Sequence, residues 1–76
     1  MKKKKIELSQ EQREKIIEEI ISFFYNERNE EIGELAAILL LDFFTKKIGP
    51  FFYNEGIKDA IKFMQERVED MFGLEI

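Results

Sequence analysis

Apolar residues recur at helical spacing in three stretches of this chain, with polar residues filling the opposite faces. In the first, Ile16, Ile17, Ile20, Ile21 and Phe24 share one face, and Glu11, Glu14, Lys15, Glu18, Glu19 and Ser22 fill the other. Ser9 precedes this run and Gln12 lies three residues on, the spacing of a capping box. Glu11 and Lys15 form a favourable i,i+4 pair. The pattern predicts a first helix from about Gln10 to Glu27. Asn29 is placed to cap a second helix, with Glu30 and Glu31 in its first turn.

In the second stretch, Ile32, Leu35, Ala36, Leu39, Leu40 and Phe43 form one stripe, while Ala37, Ile38, Leu41 and Phe44 cover most of the remaining circumference. Only Asp42 is polar between Leu35 and Phe44. A helix apolar nearly all round must be covered on more than one side. Gly49-Pro50 is expected to end it, with Lys46 and Lys47 in its last turn and Pro50 opening a third helix. There Ile57, Ala60, Ile61, Met64, Val68 and Met71 keep the 3–4 spacing, and Gly73 reads as a C-cap.

Ahead of the helices, Ile6 and Leu8 alternate with Lys5 and Glu7, the period of a half-buried strand or of an ordered extended arm. The expected organisation is a basic N-terminal arm over residues 1–5 and a single helical domain over 6–76. The fold class is all-α: a compact three-helix domain with a short N-terminal strand or arm. Helix 2 is the expected centre, and Ile16, Ile20, Leu35, Leu39, Phe43, Ile57, Ile61 and Met64 the expected core. The pentapeptide Phe23-Phe24-Tyr25-Asn26-Glu27 recurs at 51–55. Its flanks do not match, and one copy ends a helix where the other begins one, so it reads as coincidence.

These residues carry a family resemblance. Glu7-Leu8-Ser9 with Glu11-Gln12-Arg13, Glu30-Glu31-Ile32-Gly33 with Leu40-Leu41-Asp42-Phe43, and Ile48-Gly49-Pro50 with Tyr53-Asn54 and Asp59-Ala60 all contribute. On them the chain resembles a family of small bacterial proteins catalogued as a domain of unknown function, number 2164. The likeness runs from about Lys5 to Asp70. It implies one compact domain and carries no assigned activity, since most of the matching positions are caps and core.

Composition narrows the chemistry. The 76 residues contain no cysteine and no histidine. Disulfides, thiolate metal sites and the commonest general base near neutral pH are therefore excluded. Ser9, Ser22 and Thr45 are the only aliphatic hydroxyls, and nothing stands ready to activate them. Glu31 and Glu34, like Glu66 and Glu69, have the three-residue spacing of helical magnesium ligands, but the second half of such a motif is missing. They read as solvated faces. The expectation is a protein that is not an enzyme and uses no cofactor and no metal.

Charge adds one alternative. The net charge is −4, yet Lys2 to Lys5 carry +4, leaving −8 on the rest. A basic strand before a capped helix suggests a ribbon-helix-helix-like DNA-binding dimer, with Lys3 and Lys5 pointing to the nucleic acid. Glu30 and Glu31 would repel a phosphate at the next helix start, so nucleic acid is the weaker expectation. No uncharged apolar run approaches a membrane span, and Glu7 to Gln12 interrupt any leader-like pattern. The expected setting is the cytoplasm, with no membrane partner. A chain this short has little core of its own, and adjacent phenylalanines cannot all point inward. The favoured expectation is a self-associating interaction or structural module, a homodimer that also offers a surface to another protein. Its interface is expected at Ile38, Leu41, Phe44, Phe51 and Phe52.

Overall fold

A computed structural model describes residues 5–75. The described chain is all-helical: α1 (Gln10–Arg28), α2 (Glu34–Phe43) and α3 (Gly49–Phe72), with a five-residue π-helical segment, Phe44–Ile48, joining the last two. The capping box forms as the sequence predicts. The Gln12 backbone N–H donates to Ser9 Oγ at 3.1 Å, and the Ser9 N–H donates to Gln12 Oε1 at 3.0 Å. Lys15 Nζ lies 3.4 Å from a Glu11 carboxylate oxygen. Residues 5–9 form no strand, so of the two N-terminal expectations only the extended arm stands.

Asn29 caps the end of α1, not the start of α2. It adopts the left-handed conformation (φ 53°, ψ 36°), which asparagine tolerates better than most residues. Its N–H and that of Glu30 donate to the carbonyls of Tyr25 and Phe24 at 3.1 Å each. The chain then reverses, and Gly33 stands at the N-cap of α2.

The three-helix expectation fails at Gly49-Pro50. Backbone angles stay right-handed helical at Phe44, Ile48 and Gly49, so α2, the π segment and α3 run on as one rod. Proline within a helix removes one donor and crowds the carbonyl four residues back, here that of Lys46. A wider π turn accommodates this: the Gly49 N–H donates to the Phe44 carbonyl, five residues back. The protein therefore has two helices, a short one folded back on a long one.

It is also not compact. The radius of gyration is 18.9 Å, against roughly 11 Å for a compact domain of this length. The extents are 65 × 29 × 20 Å. At about 1.5 Å per residue the rod from Glu34 to Phe72 spans roughly 58 Å, most of the long dimension.

The folded part is the hairpin of α1 and α2. Arg13, Ile16, Ile17, Ile20, Ile21 and Phe24 of α1 are half-buried. They lie against Ala37 (0 % exposed) and Leu41 (2 %), the only fully buried residues among those described. Ala37 has almost no side chain, which lets the two helices approach closely. Arg13 Nη2 meets Asp42 Oδ1 at 3.3 Å across the hairpin. At the open end, the Ile6 side chain closes over the rod at Gly49. A Cβ on Gly49 would sit 3.0 Å from Ile6 Cδ1, so this position favours the residue with none. Of the other helical elements α3 touches only the π segment, Ile6 meets it at Gly49 alone, and every residue from Phe51 to Glu75 is exposed.

The expected core is corrected accordingly. Ile16 and Ile20 are half-buried, but Leu35, Leu39, Phe43, Ile57, Ile61 and Met64 are all exposed. The rod is apolar on two faces, and α1 covers the one carrying Ala37, Ile38 and Leu41. The stripe judged central by its spacing is the outer one.

Candidate interaction surface

Three of the five residues expected at an interface are exposed: Phe44, Phe51 and Phe52. Ile38 is half-buried and Leu41 lies beneath α1, where it serves the hairpin. Lys5 is exposed at the foot of α3, beside Ile6, and Lys3 lies outside the described residues. The surface that the sequence reading missed is on α3 itself. Ile57, Ala60, Ile61, Met64 and Val68 line one shallow apolar groove along the arm, edged by Gln65 and Glu69. Met71 continues the 3–4 spacing toward the tip. Ile61, Met64 and Met71 are 53 %, 59 % and 67 % exposed.

The π segment sets the direction of this groove. Residues eight apart on an ideal α-helix point about 80° away from one another. Phe44 and Phe52 nevertheless stack, with centroids 6.5 Å apart and planes inclined by 13°. One π turn takes up one extra residue, which rotates everything beyond it back by about 100° and brings the two rings onto one face. The same rotation turns the stripe Ile57–Ile61–Met64–Val68 about 100° off the outer row, toward the flank of the rod that carries Ile38. Without it the stripe would continue the outer row of Leu35, Leu39 and Phe43.

The charge on the arm is uneven. Its foot is ringed by Lys5, Lys46 and Lys47, and its tip carries Glu66, Glu69, Asp70 and Glu75. Arg67 is drawn to Asp70 at 3.0 Å, and its guanidinium also lies 4.7 Å from the centre of the Phe63 ring. Lys58 pairs with Glu55 at 3.1 Å.

Other chemistry finds no constellation among the described residues. No group of three carboxylates converges there, and Glu31 with Glu34, and Glu66 with Glu69, remain spaced along exposed helix surfaces. No helix among the described residues is long and apolar enough to cross a membrane. A second shallow depression, lined by Ile21, Ser22, Tyr25, Asn26, Glu31 and Ile32, marks the closed end of the hairpin.

No curated protein and no solved structure matches the chain. Over residues 6–73, nearly its whole length, it matches the uncharacterized conserved family DUF2164, and it belongs to that family.

Proposed function

We propose that this chain is a small non-catalytic interaction module whose first partner is a second copy of itself. The observation that carries this reading is the uncovered apolar stripe of α3. Most helical stability in proteins comes from packing an apolar face, and α3 carries such a face along its 24 residues. It packs that face against no partner among the described residues. The surface area agrees: 7368 Å² is accessible, against roughly 4,900 Å² for a compact monomer of this mass. The excess of about 2,500 Å² per chain matches what obligate homodimers cover, and exceeds the roughly 800 Å² per partner of an ordinary interface. Such an assembly would supply the core that a chain of 76 residues without cysteine lacks.

The non-catalytic part of the reading rests on the absence of histidine and cysteine from the sequence and on the three isolated hydroxyls. Light scattering coupled to size exclusion tests the association. A mass of about twice 9.1 kDa at micromolar concentration is expected, and a clean monomer would remove the reading. A monomer that becomes stable only with a different protein would move the function from self-association to partner capture.

A further inference from the structure

Resting on the reading just given, we infer that Met64 is a modification site at which a peroxide switches self-association off. The chain has three methionines and no cysteine, so thioethers are its only sulfurs open to oxidation. Met64 and Met71 both lie on the uncovered stripe of α3 and are 59 % and 67 % exposed. Met1 lies outside the described residues.

Position separates the two. Met64 sits within the apolar groove, beside Ile57, Ala60, Ile61 and Val68. Met71 is the last residue but one of α3, past the end of that groove. The alkyl side chains around Met64 are inert to peroxide, and Met64 itself is open to solvent while the chain is alone.

The step is an oxygen-atom transfer. The sulfur lone pair attacks one oxygen of hydrogen peroxide, and the O–O bond breaks. That oxygen stays on sulfur as the sulfoxide. The other leaves as water with both hydrogens. Sulfur gives up two electrons and the peroxide takes them.

The consequence follows from what surrounds the new oxygen. A thioether packs readily among apolar side chains, whereas a sulfoxide is polar and disrupts an apolar interface. Among the groove residues only Gln65, at the edge, carries a side-chain donor. An apolar surface laid over the groove adds none. The backbone N–H groups along the middle of α3 are spent on the helix itself. Covering the stripe would therefore bury an acceptor without a partner, which should weaken association by about tenfold to a hundredfold. Met71, at the helix end where water reaches its oxygen, should contribute less.

Peroxide treatment of the full chain tests the switch. Mass spectrometry of the intact chain and its peptides counts and places the added oxygens, and sedimentation equilibrium reads association. Wild type, Met64→Leu and Met71→Leu are each compared with their own untreated sample. Wild type and Met71→Leu oxidised at position 64 should associate more weakly by the stated factor. Methionine sulfoxide reductases A and B together should restore them. Met64→Leu should shift by less than about threefold when its remaining methionines are oxidised. Chains oxidised at Met64 that associate as tightly as untreated ones would overturn the inference. So would a Met64→Leu chain that weakens as much as wild type, or a Met64 that stays unoxidised in dilute samples after Met71 has reacted fully. The untreated wild-type sample reads the underlying association by itself. A monomer there removes self-association, and the switch falls with it.

Discussion

The two halves of the rod carry the same kind of apolar stripe and meet opposite fates. Along α2 the stripe through Ala37 and Leu41 is covered by α1, and these two residues are the fully buried ones. Along α3 the stripe from Ile57 to Met71 is covered by nothing among the described residues. Sequence chemistry does not separate them. What separates them is length: α1 has 19 residues and the rod behind it about twice that number. A hairpin whose second arm is much longer than its first leaves an apolar remainder, and the π segment turns that remainder off the outer row of α2.

The comparison breaks most visibly if a charge is placed in the remainder. Ile61→Asp should weaken association by at least a hundredfold, because a carboxylate would have to be dried between two helices. The hairpin should stay folded, while α3, left alone, loses helicity. Circular dichroism and sedimentation on one sample read both effects. If Ile61→Asp leaves the mass of the particle unchanged, the α3 stripe is not the seam.

A second contrast lies within α2. Leu41 and Leu39 are two residues apart and chemically identical, but one is 2 % exposed and the other 61 %. Leu41→Ala should destabilise the hairpin by about 3 kcal/mol, through lost burial and the cavity left behind. Leu39→Ala should cost less than about 0.5 kcal/mol, the range of changes away from packed positions. Urea unfolding curves measure the difference. Equal losses at both would show that the outer row is covered in solution, and that the rod has more neighbours than α1 and one partner.

These contrasts mark how far the sequence could be read. α1 was legible to within a residue at its end, because Ser9, Gln12, Glu11 and Lys15 are local signals whose partners lie three or four residues away. The family resemblance was legible for the same reason, since caps and helix faces carry it. The number of helices was not. Gly49-Pro50 reads as a stop wherever helix ends are judged by residue type, yet a reversal also needs connecting residues, commonly two to eight between packed helices. Here no polar turn separates Lys47 from Pro50. That missing turn was the available sign that the helix runs on. The core was misassigned for a different reason. On a helix apolar around most of its girth, spacing shows that two faces are greasy and cannot say which one a neighbour reaches first. Leu35, Leu39 and Phe43 satisfy the pattern as well as Ala37, Ile38 and Leu41.

The smallest expected effect is also the most diagnostic of the hairpin's surroundings. Arg13 and Asp42 form the one ion pair between α1 and α2 among the described residues, 3.3 Å apart with side chains 31 % and 44 % exposed. At that exposure solvent screens the attraction, and pairs of this kind contribute about 0.5 kcal/mol. Asp42→Asn keeps the shape and removes the charge, so it should cost about that much. The cost should fade as salt is raised to about 1 M, where the screening length drops to about 3 Å. This expectation belongs to a hairpin that faces water at Asp42. If a second copy closed over this edge of the rod, the pair would be dried, salt would matter far less, and losing one partner would cost several times more. A loss above about 2 kcal/mol that persists in high salt would therefore place the seam at the hairpin and not along the arm. A small, salt-sensitive loss leaves α3 as the region where the chain is still waiting for its neighbour.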